Sequence, residues 1–273
     1  MIYWDNNATT PLAPEVYEAM EPFLKERFFN PSAGYGCARS VREAVEEARA
    51  AVAALLGAFP SEIVFTSGGT EASNMAFRQM AGEREGGIGV LSTDHDASLK
   101  TALALGSGCV CPVDREGRAV PEKWESMCAG GVSGVSFAWA NNETGALQDA
   151  AVLCSSAGKH GVPVHLDIVQ CAGKIPVDLH GMEVDYASVS AHKCQGPRGI
   201  GCRYGGGGAP FSPWLLGGGQ EYGLRSGTEN VPGIIGFGAA ARAALRHLEE
   251  DAGRLSRMRD SFESLLRAQV GGV

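Results

Sequence analysis

Lys193 is the residue with the most reactive potential in this chain. It closes Ser188-Val189-Ser190-Ala191-His192-Lys193, directly after an apolar stretch around Tyr186. An ammonium is costly to bury, and desolvation or neighbouring cations turn such an amine into a nucleophile. A lysine that snorkels to the surface is the plainer alternative. The Gly196-Pro197-Arg198-Gly199 turn that follows suits a tight loop around a site. Asp167 ends the apolar run Val164-His165-Leu166 and is followed by Ile168-Val169-Gln170. A poorly solvated carboxylate there needs a cation or a donor, and a protonated ring nitrogen would serve. A buried helix cap would use the same residue.

Phe65-Thr66-Ser67-Gly68-Gly69-Thr70-Glu71 runs from a strand through a glycine turn into a helix start. Free amides and the helix dipole make that a seat for an anion, unless Thr70 or Ser67 simply caps the helix. Thr93-Asp94-His95-Asp96-Ala97 puts an imidazole at a strand end as a stacking ring, unless the histidine or an aspartate simply caps the helix. Ala140-Asn141-Asn142-Glu143-Thr144-Gly145 offers two adjacent amides, to orient a polar ligand or to form an Asx-type turn. Gly217-Gly218-Gly219-Gln220-Glu221 and Gly223-Leu224-Arg225-Ser226-Gly227-Thr228-Glu229-Asn230 read as an anion nest in which Arg225 pairs with a carboxylate, or as a surface loop.

Positioning these groups requires alternating strands and helices. The pattern predicts strands at Ile63–Phe65, Ile88–Leu91, Cys109–Val113, Val132–Trp139, Val162–Leu166, Tyr186–Ser190 and Ile200–Tyr204. Helices are expected at Cys37–Leu56 (with Gly57 as its C-cap), Glu71–Met80, Ala97–Leu105 and Gln148–Lys159, and from about Ala239 toward the C-terminus. Gly205–Gly208 reads as a loose turn between strands, and the last helix runs without a stop signal into Gly271-Gly272-Val273. The alternation implies a mainly parallel α/β sheet covered on both faces, with ligands at the carboxyl ends of its strands.

Composition narrows the function classes. Of 273 residues, 44% are apolar and 20% charged, ordinary values for a globular protein. A net charge of −8 argues against a nucleic-acid binder. No apolar run is long enough to span a membrane, and the first residues lack a signal-peptide pattern, so the cytoplasm is expected. Eight cysteines without a C-x-x-C pair are expected as thiols. Cys109-x-Cys111 fits a buried strand better than a metal site, and no metal is expected.

In order and wording, Asp5-Asn6-Asn7-Ala8-Thr9-Thr10-Pro11, the Phe65–Glu71 turn, Ala140–Gly145, Ser190–Lys193 and Arg225–Asn230 resemble the cysteine desulfurases of iron–sulfur assembly, of the class V aminotransferase family. The resemblance covers Ile2 to about Arg246. It implies the large domain of the pyridoxal-phosphate fold type I, a mainly parallel seven-stranded sheet flanked by helices, over residues 13–246. Residues 1–12 would belong to a small domain, and residues 247–273 would start the helix leading into its remainder. It also implies conversion of L-cysteine to L-alanine plus enzyme-bound sulfur. Lys193 would hold pyridoxal 5′-phosphate as a Schiff base and move protons. Asp167 would pair with the ring nitrogen, Gln170 with the ring hydroxyl, and His95 would stack on the ring. Gly69, Thr70, Ser190 and His192 would hold the phosphate, with Thr228 reaching the phosphate of a second subunit in a homodimer. Asn142, Asn7 and Arg225 would face the ring or substrate. An iron–sulfur scaffold or sulfur-acceptor protein would be the partner.

The departure from the family is downstream. The sulfur-accepting cysteine of such enzymes follows the Schiff-base lysine at a distance, whereas here no cysteine follows Cys202. Cys194 adjoins Lys193 but is expected to point elsewhere. The small C-terminal domain, with its carboxylate-binding arginine, is expected to be mostly missing. A C-terminally truncated desulfurase is the leading expectation. The alternatives are another class V lyase or transaminase, or a non-catalytic cofactor-binding remnant. Uncovered apolar faces at Tyr3-Trp4 and on the last helix would make the chain alone prone to aggregation.

Overall fold

Seven strands form one sheet in the order β1-β7-β6-β5-β4-β2-β3. They are β1 (Ile63–Thr66), β2 (Ile88–Leu91), β3 (Cys109–Cys111), β4 (Gly134–Ala138), β5 (Val164–Asp167), β6 (Tyr186–Ser190) and β7 (Gly201–Gly205). The structure is a computed structural model that describes residues 2–106, 108–206 and 208–270. β1, β2, β4, β5 and β6 are buried along nearly their whole length, which is why they are written as mostly apolar and small-residue runs, His165 in β5 apart, rather than alternating ones. β7 alone runs against its neighbours, antiparallel to both β6 and β1. Two reversals restore the direction, so β1 runs parallel to β6 and its carboxyl end lies on the same edge as the others.

The helices are α1 (Pro14–Lys25), α2 (Gly36–Leu55), α3 (Gly69–Glu83), α4 (Asp96–Ala104), α5 (Pro121–Ala129), α6 (Ala150–Lys159) and α7 (Val231–Gln269). Apolar periodicity did not predict α1 and α5, yet each has proline in its first turn, where the missing N–H costs nothing. Gly57, at φ +59°, follows the end of α2, as a C-cap glycine does. α7 starts at Val231, earlier than the expected Ala239, because Asn230 caps it by accepting from Gly233 N–H at 3.2 Å. Its first turns are buried against α2. A Cβ on Gly238 would sit 2.6 Å from the Ala48 backbone, so only glycine permits this approach.

Two further expectations change. Cys109–Val113 is not a buried strand: β3 is a three-residue edge strand in which only Cys111 is buried. The four-glycine run leads out of the last strand rather than joining two strands, and its Gly207 lies outside the described residues, as do Gly271–Val273. Beyond Ala241, α7 turns to solvent. Leu255, Met258, Phe262 and Leu265 are exposed, and Trp4 leans edge-on against Phe262 at 5.8 Å, itself 76% exposed.

Candidate active site

A cavity of about 500 Å³ opens at the carboxyl edge of the sheet. Each wall is the continuation of a strand. β1 leads through Ser67 to Gly68, whose φ of +155° lies in a region that favours glycine. α3 then begins at Gly69 with no side-chain cap, leaving its first amides available to an anion. Neither Ser67 nor Thr70 takes the capping role. A Cβ on Gly69 would lie 2.9 Å from Val169 Cγ2, so the close wall requires glycine there too. Thr70, Ser190 and His192 face the same end of the cavity.

Asp167 is the last residue of β5 and is half-buried at the cavity wall. One carboxylate oxygen accepts from Val169 N–H at 3.0 Å. Burial pushes its pKa up, opposed by that N–H and by the charges of His95 and Lys193. The second oxygen has no hydrogen bond among the described residues, so a cationic donor in the cavity would relieve it. Val169 and Gln170 follow along the wall.

Lys193 closes a short 3-10 turn, Ala191–Lys193, after β6. Its ammonium donates to the carbonyls of Asn7 and, at 3.0 Å, Ala8. Burial lowers its pKa, while Asp167, Asp5 and Glu143 oppose the shift. The amine is therefore easier to deprotonate than a surface lysine. The N-terminal segment is lashed to the same turn: Thr10 N–H and Oγ1 both donate to His192 O, at 3.0 and 2.8 Å, and Gln170 Nε2 donates to Asn7 O at 2.9 Å. No local sequence pattern announces these links, since the partners are more than 160 residues apart.

His95 both caps α4, its Nδ1 accepting from Ala97 N–H at 3.0 Å, and lines the cavity, so the two uses expected of it coexist. Asn142 lines the cavity while Asn141 forms the Asx-type turn, its Oδ1 accepting from Glu143 and Thr144 N–H at 2.9 and 2.8 Å. Asn7 joins them. Arg225 and Thr228 lie elsewhere, beside a small cavity near Thr66 and Ser67, and Arg225 is engaged by Glu71 at 2.8 Å. Glu71 also accepts from Ser67 N–H at 2.7 Å. Cys194 is buried, its thiol donating to Ala191 O at 3.2 Å, and burial pushes it up to about 11. Sequence reasoning passed over Asp5, Ser73 and Glu143 in the lining, although Asp5 and Glu143 stand inside quoted motifs.

The sheet order, the glycine turn and a lysine set near a half-buried aspartate define an α/β protein with an amine of lowered pKa at its strand ends. The class-V aminotransferase model matches residues 2–268, and the chain belongs to that family. It is 44% identical to a cysteine desulfurase of Cereibacter sphaeroides, over 98% of this chain and 71% of that protein. It is 41% identical to the cysteine desulfurase IscS of Dictyoglomus turgidum, over 100% of this chain and 71% of that one. Among solved structures, a NifS-like protein superposes with a TM-score of 0.92 at 38% identity, covering 98% of this chain and 76% of its own. SspA in complex with cysteine superposes at 0.83 and 34% identity, covering 89% and 72%. Among the described residues no helix is long and apolar enough to cross a membrane.

Proposed function

We propose that the chain is a pyridoxal-phosphate-dependent cysteine desulfurase acting on L-cysteine. The observation that carries the reading is Lys193 in one cavity with an under-paired Asp167 and the uncapped start of α3. Those residues fit the cofactor that the family implies: a nucleophilic amine for its aldehyde, an anion seat for its phosphate and a carboxylate for its ring nitrogen. Gly69, Thr70, Ser190 and His192 would hold the phosphate, Asp167 the ring nitrogen, Gln170 the hydroxyl, and His95 the ring face. When bound, the cofactor supplies an electron sink for the substrate's α carbon.

The chain's own residues do the rest. Lys193, once deprotonated, can hold and return a proton where the substrate's α carbon would lie. Asn7 and Asn142 offer neutral amides to a substrate carboxylate. Thr228, which lies outside this cavity, would serve the phosphate of a second subunit in a homodimer, and Arg225 would act from the same segment. An iron–sulfur scaffold or sulfur-acceptor protein would take the product sulfur in the cytoplasm.

A second reading follows from one feature. Among the described residues the cavity lining holds no cysteine, and the exposed thiols, Cys37 and Cys109, lie outside it. A class V lyase or transaminase needs no thiol. Absorbance of the protein with pyridoxal 5′-phosphate tests the first claim: a visible band that disappears in Lys193→Ala supports the cofactor site, and its absence in the parent overturns it. Release of sulfide and alanine from L-cysteine, against turnover of amino acids lacking sulfur, separates the two readings.

A further inference from the structure

Two turns meet behind the cavity wall. β2 and β4 pair in parallel as far as Val90 and Ser136, and past that rung the strands part. Asp94 spans the gap. One carboxylate oxygen accepts from Leu91 N–H at 2.9 Å and the other from Ala138 N–H at 2.8 Å, so a side chain stands where a backbone carbonyl would. Asn141 ties the same turns from the opposite side, its Nδ2 donating to Thr93 O at 2.8 Å. Its Oδ1 is already spent on its own turn.

Both residues are buried, and neither lines the cavity. In each turn the next residue does: His95 follows Asp94, and Asn142 follows Asn141. Retaining a buried carboxylate is costly, and burial together with the nearby Asp167 pushes Asp94 up to about 7. An apolar residue here would leave two strand-end amides unpaired.

We propose that Asp94 and Asn141 are positioning residues, a clasp that holds His95 and Asn142 in register across the cavity. The role rests on the reading of the cavity as a cofactor site. It deepens that reading by assigning the cavity's shape to two side chains that touch no ligand. Each turn divides the work, the first residue gripping the opposite turn and the second facing the ligand.

Asn141→Asp is the sharpest test. It keeps the Oδ1 acceptor of the local turn and replaces only the donor to Thr93 O, so the link between the turns is cut while the turn survives. Hydrogen exchange of residues 92–97 is expected to quicken by about tenfold or more, although the substitution lies in the other turn. The dissociation constant for pyridoxal 5′-phosphate, read by absorbance, is expected to rise about tenfold. In a His95→Ala background the same substitution should cost clearly less, because both changes act on one contact. Unchanged exchange at residues 92–97, or full additivity with His95→Ala, overturns the clasp. If Asn141→Asp does not fold, Asp94→Asn is read the same way, since its amide sets a donor against one of the two strand-end N–H groups. A parent that captures no cofactor would sink the proposed function, and exchange at residues 92–97 would then decide the clasp alone.

Discussion

The two edges of the sheet carry cavities of similar size and very different content. The cavity at the amino-terminal edge is the larger, about 660 Å³ against about 500 Å³. It is bounded by Glu83, Arg84, Glu183 and Asp185, beside the starts of β5 and β6. The carboxyl edge gathers a helix start without a cap, a lysine of lowered pKa and a carboxyl of raised pKa. Volume therefore does not distinguish them. Direction does, because parallel strands deliver their following turns to one edge only, and the turns bring the polar groups.

The largest expected effect is at Lys193. Lys193→Ala should abolish the cofactor's visible band, and a surviving band would move the amine chemistry elsewhere. Next is Arg49, buried against the open side of β1, where it donates to Ile63 O at 2.9 Å and grips Glu221 at 2.7 and 2.8 Å while Glu221 also accepts from Phe65 N–H. Arg49→Met strands the Glu221 charge, and urea denaturation should show a loss of about 3–5 kcal/mol. Asp167→Asn should weaken capture of pyridoxal 5′-phosphate about a hundredfold, near 3 kcal/mol, by removing the charge that faces the ring nitrogen; an unchanged affinity would strip Asp167 of that role.

His165 gives a smaller effect that depends on pH. It lies between the two edges, fully buried, with Ser136 Oγ at 2.8 Å from its Nδ1. Burial, aided by the Arg203 charge, lowers its pKa from 6.5 to about 3. The folded state thus disfavours its protonation, and the stability this neutral ring contributes is complete above pH 6.5 and lost as pH falls toward 3. Between pH 7 and pH 5 the parent should lose about 2 kcal/mol that His165→Gln does not. Smallest of all, Glu83→Gln with Glu183→Gln at the amino-terminal edge should leave cofactor affinity within about twofold. A larger change would mean that the two edges are coupled.

Much of this arrangement was legible in sequence because it is local. Largely apolar stretches followed by a charged residue marked β5 with Asp167 and β6 with Lys193 just beyond it, and a glycine pair marked the turn into α3. Pairing was less legible. Nothing in Gly201–Gly205 says that this strand runs antiparallel between two parallel ones. The ties of Thr10 to His192 and of Asn141 to Thr93 join segments distant in sequence, where no periodicity operates. Asp94 looked like part of a helix cap, and only the parting of β2 and β4 explains its burial. Arg225 was expected to meet a carboxylate in an anion nest, and the sequence could not show that Glu71 of the same chain already engages it.

The placement of β7 also sets a timetable. Among the described residues β1 pairs with no strand but β7, Ile63 meeting Tyr204 about 140 residues later. On a ribosome adding about 5–20 residues each second, the strand that leads into the anion seat waits roughly seven to thirty seconds for its neighbour. Pairing across so long a stretch is slow for any chain. The turn at Gly68 and Gly69 is thus among the last parts of the sheet edge to be seated, and an anion that docks there would act as a late inspector, rewarding only chains whose final strand has arrived.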